Sequence, residues 1–436
     1  MALALACAAC GSADPSPTPA PGAEREVDDT TATTSSTSAP TVESTPELTA
    51  SFRGVTPETI KVGITAVDWD TLSEIGVDFG RTNALDLWTA ALEDINERGG
   101  VNGRMIEIHG REFLPLGSTS FDEACVELTQ DEEVFVVIGQ ALDEQVLCFT
   151  ELNDTAAVVV AGMTDSLLDR SNAPYATLWA SYETQADNLV ALAEDQGVLA
   201  GATIGVVGSV DAGALEYAAT VEAFRNAGYD VVEGLVGGNE NDLGETARDQ
   251  ALVYERLKEA GVDLTVSTTG VPLEIFNAQA ENYRTDQWLL TVVMSPAGLR
   301  DAGVDLPYLD GALAVVNTPV ATSAQESMAN DADVAACVDM LETATDHELA
   351  YEIDAEVSDL ASGLYACAIT RILEAALTAA GPELTNDSFA AALGGLGELD
   401  LAGYFEASLD ADDLGAAKGL RLARFDAAAG AWELLD

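Results

Sequence analysis

Basic residues are scarce in this 436-residue chain. It contains 18 lysine and arginine residues against 75 aspartate and glutamate residues, which gives a formal net charge of −57. Its only lysines are Lys61, Lys258 and Lys418. A surface of this charge repels nucleic acids and anionic membrane surfaces, so we expect neither as a partner. Because salt screens the repulsion between acidic groups, the composition also predicts a protein from a salt-adapted, halophilic organism.

Residue types that carry most enzyme chemistry are also rare. The two histidines, His109 and His347, lie far apart in sequence, and beyond residue 10 no His-x-x-x-His or Cys-x-x-Cys pair indicates a metal site. The chain has no Gly-Lys-Ser/Thr phosphate loop and no Gly-x-Ser-x-Gly elbow. Carboxylates alone can serve an enzyme, but 75 of them make any single acidic pair uninformative. We therefore expect a binding protein with no catalytic residue, metal or cofactor, and keep a carboxylate-based enzyme as an alternative.

Long apolar runs are missing as well, since none approaches the roughly 20 residues that a helix needs to span a bilayer. The start of the chain is short and apolar, and Ala8-Ala9-Cys10-Gly11-Ser12 resembles a lipobox. Residues 1–10 therefore predict the remnant of a lipoprotein signal, with Cys10 as the lipid-bearing residue that anchors the protein outside the cell membrane. The alternative is a short apolar start with incidental cysteines. Residues 11–56, rich in Pro, Ser and Thr, predict a disordered tether.

What the chain does contain is an alternation of apolar strands and helices. A first set of strands is predicted at residues 60–65, 105–111, 135–138 and 157–161. A second set is predicted at residues 202–208, 229–235, 264–268 and 289–293. Near-continuous apolar strands of this kind are covered by helices on both faces of a parallel sheet, so the pattern predicts an α/β protein with two Rossmann-like lobes. The alternation of strands and helices then ends, because helices without intervening strands are predicted at residues 331–345, 355–380 and 386–393.

One stretch organises this pattern and carries a family resemblance. Apolar residues from Leu85 to Ile95 recur three and four apart, which predicts one face of a helix, and Gly99 and Gly100 end it. The run from Ile95 to Ile108, I-N-x-x-G-G-V-N-G-R-x-I-x-I, resembles the first crossover of the type I periplasmic binding proteins. Within them it is most similar to the branched-chain amino-acid type of ABC-transporter substrate-binding lipoprotein. Further matches extend the resemblance over residues 57–436, at Phe121–Cys125, Val137–Gly139 and Phe276–Ala280.

The resemblance implies a domain organisation and a function. Lobe 1 would comprise residues 57–177 and 318–401, and lobe 2 residues 178–317 and 402–436. A three-strand hinge would join them, with a ligand cleft between the lobes. The protein would be a monomeric extracytoplasmic receptor that captures a small polar solute, an amino acid or a related compound, and delivers it to an ABC permease. A ligand-sensing receptor of the same fold is the alternative.

Four cysteines remain beyond the leader, namely Cys125, Cys148, Cys337 and Cys367. An even number in an exported chain predicts disulfides, and three connectivities are possible from sequence. The resemblance favours Cys125–Cys148, which would leave Cys337 and Cys367 to pair by default. The alternative is four buried thiols.

The predicted cleft follows from where ligands bind in open parallel sheets, namely beyond the carboxyl ends of the strands. Aromatic walls with a few polar groups are typical of small-ligand pockets, although ordinary core packing is the alternative for each aromatic residue. Candidate ligand-binding residues in the loops after the strands are Trp69, Gln140, Ala141, Gly162, Thr164, Trp179, Tyr182, Asp211, Gly270 and Met294.

Amino-acid receptors of this family hold the ligand carboxylate on a hydroxyl and backbone amides, and the ammonium on an acidic residue of the second lobe. By this resemblance Thr164 would supply a hydroxyl after the fourth strand. Gln140 and Ala141 stand where a serine or threonine is usual, and Pro272 stands at about the acidic position. These departures imply that the ligand need not be a free α-amino acid. Asp211 would hold a cationic group or cap the following helix.

Overall fold

Two β-sheets organise the protein. The computed structural model describes residues 48–74, 81–115, 118–210, 213–237, 243–268, 283–293, 296–301, 304, 306–352 and 359–435. Within them, one sheet has eight strands and the other has seven. The predicted α/β fold with two Rossmann-like lobes is confirmed.

The first sheet has the strand order β11-β12-β13-β5-β4-β3-β1-β2. Its strands are β1 Thr59–Val67, β2 Met105–Phe113, β3 Val136–Gln140, β4 Ala156–Val160, β5 Tyr175–Trp179, β11 Gly397–Leu399, β12 Ala407–Leu409 and β13 Gly415–Ala417. Strands β1 to β5 run parallel to one another. Helices pack against this sheet: α1 Trp69–Glu74, α2 Leu85–Glu97, α3 Thr119–Val126, α4 Asp165–Arg170, α9 Ala332–Ala344, α10 Leu360–Ala380 and α11 Asn386–Leu393. One-turn π segments occupy Glu127–Asp131 and Cys148–Leu152, and a 3₁₀ turn occupies Asp143–Val146.

The second sheet has the order β15-β14-β10-β9-β8-β6-β7. Its strands are β6 Ile204–Ser209, β7 Val231–Val236, β8 Leu264–Ser267, β9 Gln287–Leu290, β10 Leu313–Val316, β14 Arg421–Asp426 and β15 Ala431–Leu434. Its helices are α5 Tyr182–Asp195, α6 Ala214–Asn226, α7 Leu243–Glu259 and α8 Pro296–Asp301. Strands β6 to β10 are parallel and repeat the order of β1 to β5, so the lobes share a topology without a sequence repeat.

The stretch around residue 100 folds as its sequence predicts. Helix α2 buries Trp88, Leu92 and Ile95 and is followed by Gly99 and Gly100, whose φ angles are 105° and 71°. A Cβ on Gly100 would lie 2.0 Å from the Arg104 carbonyl oxygen, so only glycine allows this return of the chain. Strand β2 then pairs in parallel with β1 over its whole length.

Three crossings join the lobes side by side. The chain leaves the first sheet after β5, returns after β10, and leaves again between β13 and β14. The segment just before β12 bonds two of the crossings, because Phe405 N–H donates to the Asn317 carbonyl (3.2 Å) and Lys418 N–H donates to the Glu406 carbonyl (3.0 Å). These segments form the hinge, where a small number of residues absorbs any change in lobe angle.

Strand pairing shows that two parts of the chain belong to the first sheet, although the predicted boundaries assigned them to lobe 2. Residues 178–179 were assigned to lobe 2, but β5, which includes Trp179, pairs with β4 and β13 in the first sheet. The third crossing was predicted near residues 401–405, but β12 and β13 still belong to the first sheet. The crossing lies at residues 418–420, because three short strands extend the sheet edge first. The domain boundaries as a whole remain a prediction.

Helix α10 also differs from the sequence expectation. It has 21 residues, and an 18-residue window within it has a mean hydropathy of 1.4, so by length and composition it could cross a membrane, contrary to the expectation of no such run. Much of this apolar surface is buried in the core of the first lobe, where Leu364, Ile369, Ile372 and Leu373 are at most 1% exposed. Burial in this core accounts for the apolar composition without a membrane.

Both disulfides are present, the Cys125–Cys148 pairing that the resemblance favours and the Cys337–Cys367 pairing that it leaves by default. Cys125 of α3 is joined to Cys148, with Cα atoms 6.4 Å apart and a sequence separation of 23. Cys337 of α9 is joined to Cys367 of α10, with Cα atoms 6.2 Å apart and a separation of 30 residues. Each bridge ties helical segments of the first lobe to one another.

Candidate ligand-binding site

The carboxyl edge of the first sheet carries most of the predicted binding residues that the structure describes. Trp69 follows β1, Gln140 and Ala141 follow β3, Gly162 and Thr164 follow β4, and Trp179 ends β5. The strand order reverses between β1 and β3, and such a reversal is where ligands bind in doubly wound sheets. The helix α10 begins at the same edge, since Thr82 N–H, just before α2, donates to the carboxylate of its N-terminal Asp359 (3.2 Å).

Trp69 lies next to an arginine. The guanidinium carbon of Arg81 stands 5.4 Å from the centroid of the Trp69 ring, which is within the range of a cation–π contact. The residues after Arg81 are fixed, because Thr82 bonds Asp359 and the Asn83 carboxamide exchanges hydrogen bonds with Asp70 of α1 (3.1 and 3.2 Å). Arg81 is therefore held between α1 and the start of α10.

The carboxamide oxygen of Gln140 is bonded within the protein. Its carboxamide oxygen accepts a hydrogen bond from Val67 N–H (3.1 Å), and its carbonyl accepts one from the Thr65 hydroxyl (2.7 Å). These bonds fasten the ends of β1 and β3 to each other. Ala141 is 3% exposed and packs in the core on one face of the first sheet. Both residues hold the carboxyl edge in place.

Thr164 also has a structural partner. It is the N-cap of α4, and its hydroxyl oxygen accepts a hydrogen bond from Leu167 N–H (3.2 Å). Gly162 allows the close approach of Tyr182 from the next helix, since a Cβ at residue 162 would lie 2.0 Å from the Tyr182 hydroxyl oxygen. Tyr182 N–H donates to the Met163 carbonyl (2.8 Å). The loop after β4 is thus in contact with the first turn of α5.

An acidic side chain stands at this contact. Burial raises the pKa of Glu183, on the first turn of α5, and the charge of Asp165 raises it further. Hydrogen bonds from the backbone of Glu183 and Asp165 act against that rise. The Glu183 carboxyl group is therefore partly buried beside the first turn of α4.

Trp179 belongs to an aromatic cluster, which we define as Trp179, Tyr365 and Tyr404. The Trp179 and Tyr365 ring centroids are 6.1 Å apart, with the planes at 79°. Burial raises the pKa of Tyr365, and the positive charge of Arg81 partly opposes that rise. Burial, with the neighbouring Tyr365, raises the pKa of Tyr404 well above its ordinary value. Trp179 ends β5 and so places this cluster at the carboxyl edge of the first sheet.

In the second lobe, the predicted residues Asp211, Gly270 and Met294, together with Pro272, lie outside the described residues. So does Cys10 at the start of the chain. The described part of the second carboxyl edge includes two exposed apolar side chains. Val210, after β6, is 41% exposed, and Val292, after β9, is 43% exposed.

Sequence reasoning missed Arg81, Tyr365 and Tyr404. Arg81 lies just before α2, which begins at Leu85. The scarcity of basic residues was the signal that could have drawn attention to it. Tyr365 and Tyr404 have no such signal, since only packing brings their distant positions to the end of β5.

Two lobes of the same strand order, joined by three adjacent crossings, define the class of two-lobed α/β binding proteins. The model of the periplasmic binding protein family matches residues 79–431, and the chain belongs to this family. No protein with a curated description matches the chain.

Solved structures share the fold at low sequence identity. A solute-binding protein of an ABC transporter from R. palustris, in complex with 4-hydroxybenzoate, is 17% identical, with a TM-score of 0.62 over 87% of this chain and 96% of that one. A leucine-binding protein from Thermotoga maritima is 14% identical, with a TM-score of 0.63 over 86% and 98%. A fatty acid ABC transporter substrate-binding protein from Thermomonospora curvata is 17% identical, with a TM-score of 0.61 over 88% and 93%.

Proposed function

We propose that this protein is an extracytoplasmic receptor that captures a small solute between its lobes and presents it to an ABC permease. The observation that carries the proposal is the carboxyl edge of the first sheet, where Arg81 lies over Trp69 and Trp179 packs against Tyr365. Contacts from both lobes to one ligand favour the closed form over the open one. Membership of the periplasmic binding protein family supports this reading.

The class of solute is a separate question. The names of similar structures include a 4-hydroxybenzoate complex, a leucine-binding protein and a fatty acid receptor, so one fold serves chemically different ligands. An amino acid or a related compound was the expectation from sequence. The Gln140 carboxamide oxygen accepts from Val67 N–H and the Thr164 hydroxyl oxygen from Leu167 N–H, which leaves the carboxamide N–H groups and the hydroxyl hydrogen as donors for a ligand carboxylate.

The proposal is tested on protein purified without refolding. Native mass spectrometry should show one retained small molecule per chain, and small-angle scattering should show a smaller radius of gyration with that molecule than without it. Deleting the gene should abolish cellular uptake of the same molecule. If no compound is retained and none of a broad solute panel changes the radius of gyration, the receptor function is refuted.

A sensing receptor is the second candidate, and the uptake experiment separates the two. Loss of uptake on deletion supports transport, whereas unchanged uptake with loss of a transcriptional response to the solute supports sensing. Enzymatic turnover of the captured solute would instead support the carboxylate-based enzyme.

Lipid anchoring through Cys10 belongs to the same proposal. Membrane attachment would keep the receptor near its permease, with the part of residues 11–56 that precedes residue 48 as tether. The end of the predicted tether packs on the first lobe instead, since Val55 is 3% exposed and the Ser51 hydroxyl donates to the Leu384 carbonyl (2.7 Å). The Cys10→Ala variant should leave the membrane fraction after a salt wash while keeping its solute affinity. Retention of the variant in membranes would refute the anchor.

A further inference from the structure

The hinge contains an aromatic side chain that reaches from one lobe into the other. Phe405 lies between β11 and β12 of the first sheet, and its neighbour Tyr404 packs against the apolar core of the first lobe. Phe405 instead packs against the core of the second lobe, to which Phe425 and Trp432 belong. Two consecutive aromatic residues therefore contact the cores of different lobes.

The backbone around Phe405 is bonded to two of the crossings. Phe405 N–H donates to the Asn317 carbonyl (3.2 Å), and the Glu406 carbonyl accepts hydrogen bonds from Lys418 N–H and Gly419 N–H (both 3.0 Å). A Cβ on Gly419 would lie 2.6 Å from the Glu406 amide nitrogen, so glycine allows the third crossing to approach this closely. Phe405 is therefore held at the place where the angle between the lobes is set.

A cation from the second lobe covers the Phe405 ring. The guanidinium carbon of Arg421 stands 4.1 Å from the ring centroid, well within the range of about 6 Å over which a cation–π contact is attractive. Arg421 is the first residue of β14 and pairs in register with Val316 of β10, so it belongs to the second sheet. The contact therefore joins a segment between strands of the first sheet to a strand of the second.

The lobes of this structure also touch at their carboxyl edges. Leu215 lies on the first turn of α6, the helix that follows β6, and so stands at the carboxyl edge of the second sheet. It packs against the apolar core on one face of the first sheet. We call this arrangement, with Leu215 against the first lobe, the closed arrangement. The contact between Arg421 and Phe405 is thus formed while the lobes are closed.

We propose that Arg421 and Phe405 form a latch at the hinge, which favours the closed arrangement and raises solute affinity without touching the solute. A rotation that separates the carboxyl edges displaces β14 from the segment between β11 and β12, and so weakens the contact. Its consequence for affinity rests on the proposed receptor function. Because the solute is held by both lobes only when they are closed, the closed population changes the affinity for every solute by the same factor.

The test measures the distance between the lobes in protein that has been unfolded and refolded, with its disulfides intact, to remove any solute. Spin labels on Asp169→Cys of α4 and Ala218→Cys of α6, both exposed positions, report this distance by pulsed electron resonance. Cys7→Ala and Cys10→Ala keep the labels on these two sites. Arg421→Gln should lower the ratio of closed to open molecules about two- to fivefold, the range that a cation–π contact of an exposed side chain supplies. Arg421→Lys should retain most of the ratio, because an ammonium group also binds an aromatic face.

A second variant gives a result that a general loss of stability would not reproduce. Phe405→Leu keeps an apolar side chain in the second core but removes the aromatic face, so it should lower the ratio by itself. Adding Arg421→Gln to it should have no further effect, whereas two independent effects would multiply. Melting curves of all variants report whether they fold.

Arg284→Gln is the matched control. The guanidinium carbon of Arg284 stands 4.4 Å from the Tyr308 ring centroid, and both residues lie between strands of the second sheet. The variant removes the same charge and the same kind of contact from within one lobe. Its ratio of closed to open molecules should therefore equal that of the wild type.

Three results would overturn the latch. They are a closed distance that is absent from the solute-free wild type, an unchanged ratio in Arg421→Gln, and a fall in Arg284→Gln as large as that in Arg421→Gln. None of these measurements uses a solute, so the receptor function is tested separately by the retained compound and its uptake. A protein that retains no solute but shows the expected ratios refutes the receptor function and leaves the latch in place.

Discussion

His347 shows how a single residue links distant parts of this chain. Its ring nitrogens bond Asp359 at the start of α10 (2.8 Å) and Asp86 of α2 (2.6 Å). The hydrogen bond to Asp359 raises the pKa of His347, burial opposes the rise, and the charge of Asp86 adds to it. Burial would raise the pKa of Asp359, but hydrogen bonds from His347 and Thr82 hold it below its ordinary value.

The His347→Gln variant should therefore be destabilised in a pH-dependent way. A group whose folded pKa is raised stabilises the protein below its unfolded pKa, about 6.5 for histidine, and this contribution disappears as pH rises through the folded pKa. The loss in the free energy of unfolding should be roughly 1.5–3 kcal/mol at about pH 6, the size of a hydrogen bond between charged groups, and should shrink towards pH 9. Urea unfolding of both proteins across this range is the measurement. A difference that stays constant with pH would show that the charge of His347 contributes nothing.

At the scale of elements, α10 holds the first lobe together. It packs against α2, α9 and α11, and its buried side chains cover the strands of the first sheet. The Cys337–Cys367 bridge joins it to α9, and both cysteines contact the apolar core. Since the intervening segment closes a loop of 30 residues, the bridge restricts the unfolded chain more than the folded one.

Removing this bridge should lower stability without changing solute binding. The double variant Cys337→Ala, Cys367→Ala should lose about 3 kcal/mol in the free energy of unfolding, as the chain-entropy argument gives for a loop of this length. Calorimetric titration should show unchanged solute affinity, because neither cysteine belongs to the aromatic cluster or contacts Arg81. Wild-type protein treated with a reductant is the matched comparison. A double variant as stable as the oxidised wild type would contradict the prediction.

At the scale of the whole molecule, charge dominates. Even if every basic residue paired with one acid, the net charge of −57 would remain as unpaired carboxylates. Their mutual repulsion opposes the compact state and decreases when salt shortens the screening length from about 10 Å at 0.1 M to about 3 Å at 1 M.

The melting temperature should therefore rise with potassium chloride between about 0.1 M and about 2 M, most steeply at the low end where screening changes fastest. Differential scanning calorimetry in potassium chloride measures this, and chloride is preferable to sulfate, which strengthens apolar burial in any protein. A sucrose series of equal osmolality is the control. A melting temperature that falls as salt increases would contradict salt adaptation.

Local sequence determined much of the fold. Continuous apolar runs predicted β1, β3, β4 and β6 to within about two residues, because strands covered on both faces have no polar side to interrupt the pattern. The Gly99-Gly100 turn was predictable, since its positive φ angles suit only glycine at Gly100, where a Cβ would meet the backbone. The short strands β11 to β13 were not predictable, because a strand of three residues is too short to show an alternating pattern of apolar and polar residues.

The local sequence determined only part of the candidate site. Strand ends predicted that Trp69 and Trp179 lie at a carboxyl edge, because parallel strands end on one side of a sheet. The sequence could not show that Gln140 bonds Val67 or that Thr164 caps α4, since a free polar group and an occupied one look alike in sequence. Packing alone brings Tyr365 of α10 to Trp179 and Arg81 to Trp69. The chemistry of the cleft was therefore decided by tertiary structure, because residues separated by more than 180 positions meet there only when helices cover the sheet.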